Sequence, residues 1–176
     1  QLLTNTYINK MFNDSKERLW IGHYLGISCY DTQAERFINI EPDTLLKTSV
    51  CYALTETRDG KILIGTNNGL YQWDGSDGKY TRYTTNDGLS SDMICGVGED
   101  LDGNIWCSTF RGINSIGKNN KNIVSWYGYN GASKREYIRN CYHSDGRNIY
   151  FGNLSGITKF EAPVKTQSKT TEIQLT

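Results

Sequence analysis

Proline is scarce, with two residues in 176, and no stretch of the chain spaces its apolar residues with the 3.6-residue period of a helix. A helix-rich architecture is excluded. No apolar run approaches the roughly 18 residues of a membrane-spanning helix, so no such span is expected. The chain does not open on a basic segment followed by an apolar one, and Gln1 is read as a processed or artificial end. Charge of one sign is missing too. The 19 Lys and Arg balance 19 Asp and Glu, whereas a nucleic-acid or anionic-membrane partner needs a basic stripe to displace counterions. Neither partner is expected.

Reactive and metal-binding residues are equally sparse. His23 and His143 are the only histidines, and neither has a carboxylate pair at ligand spacing beside it. No metal and no cofactor are predicted. Asp74-Gly75-Ser76-Asp77-Gly78 is similar to a calcium loop only in part and reads as a hairpin turn. The five cysteines, Cys29, Cys51, Cys95, Cys107 and Cys141, are odd in number and form no CxxC pair, so a zinc ribbon or thioredoxin site is disfavoured and at least one thiol is free. A Gly-x-Ser-x-Gly elbow is missing, and no catalytic residues are assigned.

What is present is 12 Tyr, 4 Trp and 18 Gly, a composition of aromatic strands joined by tight turns. Four segments align without gaps: Leu19-Trp20-Ile21-Gly22, Ile62-Leu63-Ile64-Gly65, Ile105-Trp106-Cys107-Ser108 and Ile149-Tyr150-Phe151-Gly152. Each is followed by a Gly-Ile or Gly-Leu pair, at Gly26, Gly69, Gly112 and Gly156. The small residue recurs at steps of 43, 43 and 44 residues. A β-like run precedes each motif, and Asp59-Gly60, Asp102-Gly103 and Asp145-Gly146 mark hairpins between the two. In three copies a further aromatic or β-branched run follows, from 36 to 40, 79 to 84 and 122 to 127.

Each motif is apolar on consecutive positions, so both faces of its strand are covered. Four short antiparallel strands per unit, with the second buried on both sides, describe a propeller blade between two neighbours. The chain is thus predicted to be all-β, a β-propeller segment of about four blades over residues 1–163, with repeats at about 6–40, 49–84, 92–127 and 137–161. Gly22, Gly65, Ser108 and Gly152 read as points where an adjacent backbone or ring comes close. Trp20 and Trp106 are assigned to blade packing, and Cys107, standing where other blades have Ile or Phe, to a small buried hydrophobe.

The combination of Ile105-Trp106-Cys107-Ser108-Thr109 with Gly112-Ile113, preceded by Asp87-Gly88-Leu89-Ser90-Ser91 and Glu99-Asp100-Leu101-Asp102-Gly103-Asn104, resembles the two-component regulator propeller repeat. That repeat builds the periplasmic sensor part of hybrid two-component systems of Bacteroides-type bacteria. The resemblance implies a seven-bladed propeller, of which these are the C-terminal blades, in an inner-membrane protein that responds to glycan-derived oligosaccharides. The last copy departs from the others. Asp145-Gly146-Arg147-Asn148 is read as carrying one extra residue, and no outer strand is apparent after Glu161. Residues 164–176 are expected to form an exit linker, or the first strand of a following immunoglobulin-like module.

Sugar sites use ring faces with polar groups around them, and residues that break the repeat are the better candidates. The turns after the motif strands vary between copies, and Tyr24, Asn67, Phe110 and Arg111 are singled out as ligand-binding residues. Arg111 can grip a carboxylate or sulfate through its fork of donors. The expected function is a non-catalytic sensor segment that passes binding on by inter-domain packing. A propeller lyase or glycosidase and a protein-interaction scaffold are the alternatives. The expected partners are the oligosaccharide, neighbouring blades and the immunoglobulin-like module, with self-association of the isolated chain through its open apolar ends.

Overall fold

The computed structural model describes residues 7–40, 44–75, 79–119, 122–145, 148–161 and 171–173. These residues form four four-stranded sheets, all antiparallel and each in simple sequence order. The first blade is β1 (Ile8–Asn13), β2 (Arg18–His23), β3 (Gly26–Asp31) and β4 (Arg36–Ile38). The second is β5 (Cys51–Glu56), β6 (Ile62–Thr66), β7 (Gly69–Trp73) and β8 (Tyr80–Tyr83). The third is β9 (Ile94–Glu99), β10 (Ile105–Thr109), β11 (Ile113–Ile116) and β12 (Ile123–Trp126). The fourth is β13 (Tyr137–Ser144), β14 (Asn148–Asn153), β15 (Gly156–Glu161) and β16 (Thr171–Ile173). The predicted strands are all present, and helix is limited to two single 3-10 turns among the described residues.

The inner strands pack in succession, β1 on β5, β5 on β9 and β9 on β13. The second and third motif strands are buried on both faces as predicted, with every residue of β6 and β10 shielded from solvent. The small motif residues allow this. A Cβ added at Gly22 would lie 2.6 Å from the Cys51 sulfur of the next blade, and one at Gly65 would lie 2.8 Å from Ile94. Aromatic rings fill the remaining space. Trp20 meets Trp73 of the second blade edge-on at 5.0 Å. Trp106, only 1% exposed, stacks on Trp126 at 5.2 Å and touches Phe160 of the fourth blade at 5.4 Å.

A second device ties each hairpin to this core. Asp14 accepts a 2.8 Å bond from the Trp20 indole, and also binds the Arg18 side chain and the backbone N–H groups of Lys16 and Arg18. Asp100 repeats the arrangement with Trp106 at 2.8 Å and with Asn104. The second blade has Leu63 in place of tryptophan, and Thr57 replaces the aspartate, its hydroxyl accepting from the Lys61 N–H. In the fourth blade the Tyr150 hydroxyl donates to Asp145 at 2.9 Å. Position and partner change together because a buried indole N–H needs an acceptor and leucine does not.

The fourth blade differs from the sequence reading in two respects. The hairpin at Asp145 is shorter than the others, not longer: Asp145 N–H bonds Asn148 across three residues, whereas Asp14, Thr57 and Asp100 close across four. The additional residues lie in β13, where the register slips between Tyr137, opposite Asn153, and Tyr142, opposite Phe151. The outer strand is also present. β16 pairs with β15 through Ile157 opposite Ile173, so part of the expected exit segment completes the fourth blade. The wide spacing between β15 and β16 separates this short strand from the pattern that marks it in the other copies. Residues 162–170 and 174–176 lie outside the described residues.

Among the described residues, no packing comparable to that between successive blades joins β13 to β1. The outward faces are correspondingly open: Met11 and Ile8 in β1 are 54% and 47% exposed, and Ile138 in β13 is 43% exposed. Tyr150, expected to be buried like Trp106, is only half-buried because no following blade covers it.

Two predictions arise from this packing. Trp106→Ala should lower stability by about 3–5 kcal/mol in urea unfolding, since it empties a ring-sized volume between blades. Burial raises the pKa of Asp14, but the bonds from Trp20 and Arg18 outweigh it, and the carboxyl titrates below its ordinary value. A depressed folded pKa gives stability that is present above about pH 4 and lost as pH falls through the folded value. Asp14→Asn should therefore be less stable at pH 7 by about 1–3 kcal/mol, with a shallower loss of stability below pH 4 in acid-unfolding curves.

Candidate ligand face

The turns between second and third strands and the connections between blades meet at one rim. Gly26 approaches the Leu46 carbonyl so closely that a Cβ would lie 2.6 Å from it. Gly69 N–H bonds the Asp92 carbonyl at 2.8 Å, and Leu154 N–H bonds that of Glu136 at 3.1 Å. All four predicted site residues lie on these turns, as their repeat positions require.

Their environments differ. Tyr24 is half-exposed, and its ring sits 5.4 Å from that of Tyr7, which is 71% exposed, so the first blade presents an open aromatic pair. Asn67 is committed to the fold: its side-chain oxygen accepts from Val50 N–H at 2.8 Å and its own N–H bonds the Val50 carbonyl, fixing the entry to β5. Phe110 is partly buried and Arg111 is exposed. Among the described residues the Arg111 guanidinium makes no hydrogen bond or ion pair.

Sequence reasoning missed Arg139 and Tyr52. Arg139 lies in the irregular part of β13, and its guanidinium carbon is 4.2 Å from the centre of the Tyr52 ring in β5 and 5.6 Å from that of Phe110. Tyr52 occupies the position where the inner strand bulges, between Cys51 and Ala53. The repeat would have flagged this position, because Asn9, Tyr52 and Cys95 share it and differ in type. A side chain reaching across from another blade carries no signal in the linear sequence.

Chemistry beyond binding has little material here. Among the described residues no three of His, Cys, Asp and Glu cluster as metal ligands. His23 is buried, bonded to Ser28 and to Leu25 N–H, and burial lowers its pKa, so the ring is neutral near pH 7. All five cysteines are free and four are buried. Burial raises the thiols of Cys29 to about 11 and of Cys95 and Cys107 to about 12, far from nucleophilic thiolate. The carboxylates at Asp14 and Asp100 serve turns and indoles. Two depressions among the described residues, of about 260 and 380 Å³, lie at the opposite rim around Arg58 and Glu99 and contain none of the four predicted residues.

No family model matches the chain. Among curated proteins it is similar to Histidine kinase P4 of Formosa agariphila, 26% identical over 167 residues, which is 90% of this chain and 12% of the relative. The extracellular domain of a hybrid two-component system from B. thetaiotaomicron superposes with a TM-score of 0.78 at 24% identity, over 93% of this chain and 22% of that one. Virginiamycin B lyase from Staphylococcus aureus superposes at 0.75 and 18% identity, over 98% of this chain and 57% of the lyase. The chain thus spans a small part of the sensor proteins it matches. The resemblance read from the repeats, to the propellers of these two-component sensors, is matched in both sequence and fold.

Proposed function

We propose that this chain is a non-catalytic, extracytoplasmic propeller segment of a hybrid two-component regulator, responding to glycan-derived oligosaccharides in the periplasm. The observation that carries this reading is the joint match, across nine-tenths of the chain, to a histidine kinase in sequence and to a two-component extracellular domain in fold. The exposed aromatics of the connection rim support a sugar ligand, and Tyr24, Phe110 and Arg111 are the residues proposed to touch it. Asn67 supports that rim from beneath. Binding is passed on as a change in packing between blades and adjoining modules, because propeller blades are coupled to one another only through their faces. A propeller lyase is the second reading, favoured by the superposition on virginiamycin B lyase.

The open faces at β1 and β13 belong to the same reading, since a seven-bladed ring would supply blades to cover both. Without them, the 20.0 kDa chain is expected to self-associate. Light scattering at micromolar concentration should give a mass above the monomer, and a stable monomer that binds no apolar dye would count against an open four-bladed segment. For function, incubation with a panel of oligosaccharides should raise the melting temperature for one class without releasing product. Depolymerised or eliminated product would transfer the assignment to the lyase reading.

A further inference from the structure

Arg139 stands where the fourth repeat breaks its own pattern. Between Tyr137 and Tyr142 the inner strand leaves the β14 ladder, and Asn140 within that segment has φ +55°, a left-handed conformation that asparagine tolerates better than most residues. The detour carries the Arg139 guanidinium over two blades, onto the Tyr52 ring of the second and beside the Phe110 ring of the third. A guanidinium lying on a ring face keeps its N–H donors in its own plane, directed away from the ring. Among the described residues those donors have no hydrogen-bond or ion-pair partner, and the side chain is exposed.

The charges nearby favour an anion. Arg111 follows Phe110 directly and is likewise unpaired among the described residues. The carboxylate identified in this neighbourhood is Glu136, which acts with Arg139 on the Cys95 thiol and forms no ion pair with it. The Arg139 guanidinium therefore lies beside the Phe110 ring, and Arg111 is the next residue along the chain on the same turn. An aromatic face suits the apolar side of a sugar, and a guanidinium fork suits a carboxylate or sulfate oxygen pair. We infer that Arg139, lying over the Tyr52 ring and beside Phe110, forms a subsite for an oligosaccharide bearing carboxylate or sulfate groups, with Arg111 next to Phe110 on the same turn. This inference rests on the sensor reading above and narrows its ligand class.

The test compares acidic and neutral probes of equal length on the full 176-residue chain by isothermal titration calorimetry: tetragalacturonate, a chondroitin sulfate tetrasaccharide and cellotetraose. At least one acidic probe should bind about tenfold or more tightly than cellotetraose, as expected for charge-assisted hydrogen bonds. That affinity should weaken as sodium chloride rises; binding of tetragalacturonate would show that carboxylates suffice, and binding of the chondroitin sulfate probe alone, which carries both groups, would point to sulfate. Arg139→Met keeps a long side chain over Tyr52 and should remove the acidic preference, with the melting temperature little changed. Arg139→Lys keeps the charge but loses the planar fork, and should restore only part of it. If Arg139→Met fails to fold, the lysine variant and the salt dependence decide. Equal binding of acidic and neutral probes, or acidic binding indifferent to Arg139, would overturn the subsite and leave the sensor reading intact. Binding of none of the three probes would overturn the subsite alone, and failure of the whole oligosaccharide panel would remove both.

Discussion

In the first two blades the second strand lies so close to the first strand of the next that even a Cβ at Gly22 or Gly65 would come within 3 Å of a neighbouring side chain. Everything else in the molecule is arranged around that approach. A four-stranded sheet with two apolar faces cannot bury both by itself, so the strand that is apolar on consecutive positions needs a neighbour on either side. The close contact at the small residue draws the blades together, and Trp20, Trp73, Trp106 and Phe160 then fill the wider space around it. The aspartates at the hairpins answer a cost created by this packing. Once the Trp20 and Trp106 indoles are buried, their N–H groups must be satisfied from inside, and Asp14 and Asp100 do so while also closing the turns.

The blades were legible because the constraint is periodic. A residue that must be small, or apolar on both sides, must be so in every copy, and the recurrence at Gly22, Gly65, Ser108 and Gly152 is visible without coordinates. The features that escaped are those with no period. β16 is three residues long and stands apart from β15, so nothing in its composition links it to the fourth blade. The extra length of the fourth copy reads as part of its hairpin because Asp145-Gly146 is a recognisable turn, whereas irregular backbone within β13 has no such signature. The roles of Asp14 and Asp100 escape for a related reason. In the third copy Asp102-Gly103 draws attention as the turn, and the first copy has no Asp-Gly pair there at all, whereas the buried carboxylates are identified only by their indole partners.

The candidate ligand face shows the same division. Repeat logic located the right turns, since Tyr24, Asn67, Phe110 and Arg111 all project from the connection rim, but it could not tell an exposed ring from a residue spent on the backbone. The Asn67 side-chain oxygen caps Val50 N–H, a backbone role that its variation between copies does not reveal. Variation between copies therefore has two sources, local backbone repair and contact with something outside the fold. Only burial and hydrogen bonding separate them.

That distinction bears on why the irregular fourth blade matters more than the regular three. A propeller's core contributes nothing specific to recognition, because its residues are fixed by blade packing and are similar in propellers that bind, cleave or merely hold. Specificity has to come from positions released from the repeat. In β13 the ladder is given up over four residues, and a left-handed Asn140 is accepted, in a strand that the other blades build almost without interruption. The structure shows there a single guanidinium over the Tyr52 ring of the second blade and beside the Phe110 ring of the third. Arg139 thus joins a strand of the fourth blade to rings of the second and third, and the anion proposed for it would sit where these three blades approach one another.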